Sequence, residues 1–364
     1  MLRHFKNFDW ILIGSAILLV LIGLIALWSI SAGQDDYTNL KKQIIFFIIA
    51  IILMVGISFL DWRSFRENPY LILAVYFICI ILLLGLFFIA PEIRGVKSWY
   101  KIGSPSGGLS FGPVGITTLV LIVLLAKFFS TRHVEMYKLK HILLSGIYVL
   151  IPFLLIARQP DLGSALILLV LWIGVLIVSG IKLRHFLLLG LVGLVVFSLS
   201  WSLFLKDYQK QRILSFLAPE VEILGINWSQ TQSKIAIGSG GLVGKGFGEG
   251  SQTQLGFLSE PHTDFIFSVI AEEWGLLGIL VMLALFSVLI WRIMRLALLA
   301  EYNFPRLFAF GLAIVIFFQF FAHIGMNLGI LPVIGLPLPF VSYGGSSLIA
   351  LFMGIGLLQG IRTH

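Results

Sequence analysis

Pro261-His-Thr-Asp-Phe-Ile-Phe-Ser-Val-Ile270 is the stretch in which a long polar insert meets an apolar segment. The insert, about residues 206–263, is rich in polar residues and contains a glycine-dense run from Gly238 to Gly250. Most of the chain on either side of the insert is apolar. The junction therefore places the carboxylate of Asp264 at the mouth of an apolar segment, where a charge is costly and indicates function.

The composition of the 364 residues is that of a membrane protein. Hydrophobic residues make up 59% of the chain and charged residues 12%, with a mean hydropathy of +1.04. A soluble domain cannot bury so much apolar surface, whereas a bilayer removes the need to bury it. We therefore predict a single polytopic membrane domain over residues 1–364. The net charge of +8 includes no basic block interleaved with aromatic residues, so we expect no nucleic-acid partner.

Ten apolar segments have the length that a helix needs to cross a bilayer. They cover residues 10–31, 43–60, 70–89, 113–129, 142–157, 162–180, 186–205, 264–291, 307–330 and 344–361. The fifth and sixth segments are short and close together, so the sequence leaves open whether they are two full spans or a re-entrant pair. With the N-terminus placed inside, fourteen lysine and arginine residues lie at the cytoplasmic ends of the segments, and six lie in the short outer loops. This excess of positive charge favours a cytoplasmic position for both termini. We expect an all-α membrane protein with cytoplasmic termini and an extracytoplasmic insert between spans seven and eight.

Asp264 is the first candidate for chemistry. We expect Thr263 to cap the following helix and Asp264 to lie in its first turn, where the helix dipole favours a carboxylate. Alternatively, an acid in that position can serve only to stabilise the N-terminal end of the helix. Glu260, His262 and the glycine run lie close to Asp264 in the sequence. This grouping favours Asp264 as a general base that accepts a proton from an attacking hydroxyl group.

Glu272 and Glu273 lie farther along the same predicted span. Two adjacent acids at that depth normally face either a cavity or a basic partner. A structural ion pair is therefore the alternative to a catalytic role for these carboxylates.

The glycine run invites comparison with a phosphate-binding P-loop, but its spacing differs. Ser239 and Gly246 stand where that motif needs Gly and a Ser or Thr. Backbone amides of the run, with Lys234 or Lys245, can still form a nest for a diphosphate. A flexible re-entrant turn is the other interpretation.

Two loops outside the insert also carry polar groups. Arg158 and Asp161 flank a proline, and we expect either an ion pair that joins two short helices or a polar lining for a substrate cavity. The stretch Leu336-Pro-Leu-Pro-Phe-Val-Ser-Tyr-Gly-Gly-Ser-Ser347 cannot be a regular helix because of its prolines. We predict that it forms a shaped outer loop packed against the insert.

Four motifs taken together resemble one protein family. They are Gln159-Pro-Asp-Leu-Gly163, Gln232-Ser-Lys-Ile-Ala-Ile-Gly-Ser-Gly-Gly241, His262-Thr-Asp-Phe-Ile-Phe267 with Glu272-Glu273, and Pro337-Leu-Pro-Phe-Val-Ser-Tyr-Gly-Gly-Ser-Ser347. Their order and spacing are similar to those of the SEDS family (shape, elongation, division and sporulation). Residues 209–217 and 269–273 look more like the elongation type, RodA, than the division type, FtsW.

The resemblance implies a peptidoglycan glycosyltransferase that polymerises lipid II on the outer face of the bacterial cytoplasmic membrane. The family's essential acid corresponds to Asp264, which would activate the acceptor's 4-hydroxyl for inverting attack on the donor, with undecaprenyl diphosphate leaving. Lys42, Lys234 and Lys245 are candidates to balance the charge of that diphosphate. The remaining supporting candidates are Arg158, Gln159, Asp161, Gln232, Ser233, Glu260, His262, Thr263, Glu273, Ser342, Tyr343, Ser346 and Ser347.

The family also suggests partners and alternatives. A class B penicillin-binding protein (a transpeptidase) and other membrane proteins of the elongation complex are the implied partners. No cofactor or metal-ligand cluster is evident in the sequence, and a divalent cation stays open. This chain departs from the family at Gly115 and Thr118, where an acid and a lysine are usual, and at His323, where asparagine is frequent. A flippase for lipid-linked precursors and a non-catalytic scaffold are the competing functional classes.

Overall fold

The computed structural model describes residues 2–91, 97–102, 108–131, 139–203, 210 and 228–363. Within these ranges the regular structure is helical apart from one antiparallel hairpin, which pairs Tyr100–Ile102 (β1) with Leu109–Phe111 (β2). The helices of the described residues are α1 (Leu2–Lys6), α2 (Trp10–Gln34), α3 (Thr38–Ser58), α4 (Trp62–Glu67), α5 (Pro69–Ile89), α6 (Val114–Ser130), α7 (Leu139–Arg158), α8 (Leu162–Val178), α9 (Leu183–Leu203), α10 (Trp228–Ser239), α11 (Ser251–Gln254), α12 (Ile266–Leu299), α13 (Asn303–Leu328) and α14 (Gly345–Thr363).

Each of the ten predicted apolar segments coincides with a helix, so the predicted all-α membrane fold is confirmed. In the described part of the chain, seven helices are long and apolar enough to cross a membrane: α2, α3, α5, α7, α12, α13 and α14. Helices α6 and α8 and the part of α9 from Leu183 to Leu199 are apolar but shorter. Helices α7 and α8 are separate elements of 20 and 17 residues, which favours two spans over a re-entrant pair. Part of the predicted insert, residues 206–209 and 211–227, lies outside the described residues.

Helices α13 and α14 form the centre of the bundle. Helix α13 packs against α6, α8 and α12, and α14 packs along α3 and α6. Large side chains on these two helices, including Phe308 and Phe352, are fully buried. Because lipid tails are as apolar as these side chains, the bundle is held by close packing and internal polar contacts more than by a hydrophobic driving force.

One end of the bundle is closed by an ionic cluster around the buried Asp9. Its carboxylate accepts a capping hydrogen bond from the N–H of Leu12 (3.1 Å) and pairs with Arg292 (3.0 Å) and Arg362 (2.9 Å). The N–H of Asp9 donates to the side-chain oxygen of Gln359 (2.8 Å). The start of α2, the C-terminal part of α12 and the end of α14 therefore meet at the same end.

The opposite end carries the polar loops. The turn between α2 and α3, the turn between α7 and α8, residues 255–265 and residues 329–344 all lie there. A Cβ added to Gly163 would come within 2.6 Å of the carbonyl oxygen of Ile334, so the α7–α8 turn touches the loop before α14. This arrangement gathers the four sequence motifs at one end of the molecule.

Candidate active site

Asp264 lies in a tight loop immediately before α12. The carbonyl of Glu260, a residue with a positive φ of 54°, accepts hydrogen bonds from the N–H groups of Thr263 (3.2 Å), Asp264 (3.1 Å) and Phe265 (3.3 Å). The helix begins at Ile266, with Phe265 in the N-cap position and no side-chain cap. The predicted cap by Thr263, with Asp264 in the first turn, is therefore wrong. The Glu260 carbonyl closes the loop instead, and Asp264 precedes the helix by two residues.

The loop between α13 and α14 holds the Asp264 loop in place. The hydroxyl of Ser342 donates to the carbonyl of Thr263 (2.7 Å), and the N–H of Tyr343 donates to the carbonyl of His262 (2.9 Å). These bonds confirm that residues 336–347 pack against the insert. Gly335 of the same loop lies beside the Asp264 carboxylate, since a Cβ added there would be 3.6 Å from Oδ2.

A buried hydrogen-bond network anchors the Asp264 backbone to three helices. Asn327 on α13 donates its side-chain amide to the carbonyls of Asp264 (2.9 Å) and His323 (2.8 Å), and its Oδ1 accepts from Ser268 on α12 (2.6 Å). Ser233 on α10 lies 2.6 Å from the Ser268 hydroxyl and donates to the Asn327 carbonyl (2.8 Å). The backbone position of Asp264 thus depends on polar groups that are shielded from solvent.

Two residues of this arrangement were missed by the sequence reasoning. Asn327 fixes the Asp264 backbone, and the buried Gln43 on α3 donates to the carbonyl of Ser342 (3.2 Å) and accepts from the N–H of Gly344 (3.2 Å). Both are amides inside predicted apolar spans. A buried amide in such a position needs hydrogen-bond partners, which is the signal that would have found them.

The glycine run bridges a break in α12. Gly275 interrupts the helix with φ 64° and ψ −159°, a conformation open to glycine because it has no Cβ. Four backbone hydrogen bonds of 3.0 to 3.1 Å span the break: Lys245 N–H to Glu272 O, Gly246 N–H to Glu273 O, Leu276 N–H to Gly241 O, and Leu277 N–H to Leu242 O. The amides of Lys245 and Gly246 are thereby used on α12, which favours the re-entrant turn over the diphosphate nest.

The buried carboxylate of Glu272 fixes the same run from the side. It accepts hydrogen bonds from Lys245 Nζ (2.8 Å), Ser251 Oγ (3.4 Å), Gln252 N (2.9 Å), Thr253 N (3.2 Å) and Thr253 Oγ1 (3.0 Å). Glu273 accepts from the hydroxyl of Ser29 on α2 and from Gln254 (3.3 Å). The pair of acids therefore faces a basic partner and donors of the insert, and the side chain of Lys245 is committed to Glu272.

Gly240 provides a direct test of this packing. A Cβ at Gly240 would lie 1.9 Å from the carbonyl oxygen of Ala271, whereas a Cβ at Gly238 meets nothing within 4 Å. We expect Gly240→Ala to lower the free energy of unfolding by about 1–3 kcal/mol, because the run is forced away from α12. Gly238→Ala is the matched control and should leave it unchanged or slightly raised. Thermal unfolding in detergent measures both, and equal melting temperatures would contradict the tight contact.

The remaining predicted residues lie at the polar end or on its borders. Gln159 is buried and donates to the carbonyl of Leu83 (3.0 Å). Asp161 caps α8 by accepting from the N–H (3.1 Å) and hydroxyl (2.7 Å) of Ser164. Arg158 is exposed and forms no ion pair with Asp161, so the expected pairing is wrong: the carboxylate is used by the helix start instead.

Lys42 lies near the start of α3, and Gln232 and Lys234 lie in the middle of α10. Lys42 is half-buried beside Gln43, Gln232 is buried, and Lys234 is exposed with its side chain over Gly329. Both lysines therefore belong to the end of the molecule that carries Asp264.

The departure at Gly115 and Thr118 coincides with close packing of α6 on α14. A Cβ at Gly115 would lie 3.2 Å from the Cβ of Ala350, and Thr118 donates its hydroxyl to its own helix at Val114 (3.0 Å). Together with Ser347 these residues line a cavity of about 30 Å³, which has room for a water molecule. The hydroxyl of Ser346 accepts from the N–H of Gly112 (2.8 Å) nearby. Small side chains and helix contact thus occupy both positions.

A polar cleft borders the Asp264 loop on the side of α2 and α3. It has a volume of about 370 Å³ and includes Glu260 and His262 in its lining. Burial lowers the pKa of His262, while the negative charges of Glu260 and Asp36 act in the opposite direction. The lowered pKa favours the neutral ring of His262 at pH 7, in which one nitrogen is a donor and the other an acceptor. Within the described ranges, no group of three His, Cys, Asp or Glu side chains is placed to hold a metal ion.

The chain is similar over nearly its whole length to known membrane proteins. The model of the FtsW/RodA/SpoVE family, described as "cell cycle protein", matches residues 9–364. The chain is 40% identical over 352 residues to the peptidoglycan glycosyltransferase MrdB of Escherichia coli K12, which covers 96% of this chain and 92% of that protein. It is 35% identical over 368 residues to the stage V sporulation protein E of Bacillus subtilis 168, covering 98% and 97%.

Two solved structures share the fold. One, from work on the structural coordination of polymerization and crosslinking by a peptidoglycan synthase complex, has a TM-score of 0.80 and 33% identity and covers 98% of this chain and 97% of its own. The other, the rod shape determining protein RodA of Thermus thermophilus, has a TM-score of 0.70 and 31% identity and covers 98% and 96%. Fold and site define a multi-pass helical membrane protein of the SEDS class. The chain belongs to the FtsW/RodA/SpoVE family, and the predicted resemblance is confirmed.

Proposed function

We propose that this chain is a peptidoglycan glycosyltransferase that polymerises lipid II during cell-wall elongation. The observation that carries the proposal is the placement of Asp264. Its backbone is held by Glu260, Asn327 and a polar loop, and its carboxylate lies beside Gly335, which has no side chain to cover it. A carboxylate held in this way suits general-base chemistry, which needs an acid group in fixed position within hydrogen-bond reach of the hydroxyl.

In the proposed reaction, the 4-hydroxyl oxygen of the acceptor sugar attacks the anomeric carbon of the donor. The new bond is the C1–O4 glycosidic bond, and the bond that breaks joins C1 to the oxygen of undecaprenyl diphosphate. Asp264 accepts the hydroxyl proton, and the bonding electron pair leaves with the diphosphate. Attack from the face opposite the leaving group inverts the configuration at C1.

The negative charge of the leaving diphosphate needs positive partners. Lys42 and Lys234 lie at the end that carries Asp264 and are the first candidates for that role. Lys245 is a weaker candidate, because its ammonium group is bound to the buried carboxylate of Glu272 at 2.8 Å.

The proposed setting follows from the same reaction. Lipid II is a membrane-bound substrate, so we assign the chain to the bacterial cytoplasmic membrane with the Asp264 end on the extracytoplasmic face and both termini inside. Polymerised strands must then be crosslinked, which supports a class B penicillin-binding protein as the partner. The similarity to a chain from work on a peptidoglycan synthase complex supports that pairing.

The test is polymerisation of lipid II by the purified protein, with and without its transpeptidase partner. The product expected is a muramidase-sensitive glycan ladder that is absent with Asp264→Asn. A protein that moves lipid II across vesicles without making polymer would favour the flippase. Polymer made equally well by the Asp264→Asn variant and the wild type would remove Asp264 from the mechanism, and the absence of both polymer and lipid transport would favour a scaffold.

Asn327→Ala is expected to slow polymerisation by about 5–150-fold, because two carbonyl acceptors and one hydroxyl donor lose a partner at a cost of about 1–3 kcal/mol. The Asp264 loop then loses its bond to α13. Steady-state kinetics should show the loss mainly in kcat, since the side chain acts on the position of Asp264. Asn303→Ala, an exposed asparagine at the start of the same helix, is the control and should behave as wild type. A wild-type kcat for Asn327→Ala would show that the anchor is dispensable.

A further inference from the structure

We infer that the cleft between the α2–α3 turn and residues 256–262 binds a neutral N-acetylhexosamine unit of the acceptor glycan. The inference rests on the proposed function and adds a saccharide subsite to it. The cleft is formed by Gln34 at the end of α2, Asn39 in the first turn of α3, and the segment that precedes Asp264. Its volume of about 370 Å³ lies within the range of small-molecule sites, about 300–1,000 Å³.

The side chains that line the cleft have the chemistry of sugar recognition. The amides of Gln34 and Asn39 each offer donors and an acceptor, the carboxylate of Glu260 accepts from hydroxyl groups, and neutral His262 offers one of each. Among the described residues, Nδ1 of His262 is buried and has no hydrogen-bond partner. Leu258 and Pro261, both largely buried, form the apolar part of the lining.

The charge of the cleft distinguishes a sugar from a diphosphate. No lysine or arginine is among the described residues that line it. Glu260 lines the cleft, and Asp36 is close enough for its charge to act on His262. Thr38 hydrogen-bonds Asp36 and lowers the pKa of that exposed carboxyl, so Asp36 is ionised at neutral pH. Lys42 acts on Asp36 but does not line the cleft, so the charged group of the lining itself is the carboxylate of Glu260. A lining with this negative charge disfavours a diphosphate or a peptide carboxylate and accepts the hydroxyl and acetamido groups of a neutral sugar.

The cleft is lined by His262, two residues before the proposed base Asp264. Consecutive Cα atoms are 3.8 Å apart, so the Cα atoms of His262 and Asp264 are separated by at most about 7.6 Å. The carbonyl of His262 is fixed by Tyr343 and that of Asp264 by Asn327, so the two side chains belong to one rigid loop. A glycan unit held at His262 would therefore control how the acceptor reaches Asp264.

The experiment measures binding of chitotriose, a neutral β-1,4-linked trimer of N-acetylglucosamine, to the full-length protein in detergent by saturation-transfer NMR. Gln34→Ala combined with Asn39→Ala removes two amides without touching the Asp264 network. With hydrogen bonds worth about 1 kcal/mol each, we expect binding at least tenfold weaker in the double variant. Asn303→Ala is the matched control and should bind as wild type does. Inorganic pyrophosphate should not compete with chitotriose.

A second measurement separates this inference from the proposed function. In the lipid II assay, the double variant should show a raised KM or shortened glycan products with an unchanged melting temperature. Chitotriose binding that the double variant does not weaken, or competition by pyrophosphate, would overturn the saccharide subsite even if the wild type polymerises lipid II. If the wild type makes no polymer but the double variant weakens chitotriose binding, the subsite stands and the proposed function fails.

Discussion

Replacing Asp264 with asparagine is expected to lower the rate of lipid II polymerisation about 10²–10⁴-fold, the usual contribution of a positioned general base. Asparagine has nearly the same shape as aspartate but cannot accept the hydroxyl proton. The bonds that hold this residue to Glu260 and Asn327 use its backbone N–H and carbonyl, so they survive the substitution. The loss should therefore fall on catalysis and spare the fold.

Single-turnover polymerisation with purified lipid II, together with a melting temperature, checks this expectation. Asp35→Asn is a matched control, since Asp35 is an exposed carboxylate at the same end and its left-handed backbone conformation (φ 51°) suits asparagine. The control should polymerise at the wild-type rate. A lowered melting temperature for Asp264→Asn with a proportional loss of rate would point to misfolding, and a retained rate would mean that another group takes the proton.

Glu272→Gln is expected to lower the free energy of unfolding by about 3–5 kcal/mol, the typical cost of breaking a buried ion pair from one side. The glutamate accepts from Lys245, Ser251, Gln252 and Thr253, so every neighbour of its carboxylate is a donor. Glutamine has an NH2 group in place of one carboxylate oxygen, so the donors that bound that oxygen would face another donor. The insert would then lose its hold on α12.

Thermal unfolding in detergent measures this change, with Glu249→Gln as the control in the same segment. Glu249 is exposed, and its substitution should shift stability by no more than about 0.5 kcal/mol. Limited proteolysis adds a local reading, because a released insert should be cut faster in Glu272→Gln than in the control. Identical unfolding and cleavage of the two variants would show that Glu272 does not hold the insert.

The sequence predicted the helical membrane fold because the length and apolarity of a span are local properties. All ten segments were found, although α12 extends to Leu299, beyond the predicted end at residue 291. Asp264 could be singled out because a carboxylate at the edge of an apolar segment is conspicuous in the sequence, however the loops are arranged in space. Asn327 is conspicuous as an amide inside an apolar span, but its pairing with Asp264 could not be derived from the sequence, since the bond joins residues 63 positions apart.

The errors near Asp264 have a common cause. Thr263 looked like a cap because the sequence shows only local neighbours, while in the structure its carbonyl is held by Ser342 and its N–H by Glu260. The pairing of Arg158 with Asp161 failed for a related reason, because the start of α8 competes for the carboxylate. Tertiary contacts and helix ends decided which donors and acceptors were available, and neither can be derived from spacing.

The break at Gly275 divides α12 into two helical segments, and the glycine run bridges these two segments. Besides the continuous backbone at Gly275, four backbone hydrogen bonds connect the run to both parts of α12, and the Glu272 carboxylate adds contacts on the side of Asp264. The described part of the insert, although it lies outside the apolar helices, is consequently part of the frame of the membrane domain. Deletions that trim it from the glycine side should therefore be assessed as structural lesions before they are interpreted as loss of substrate contacts.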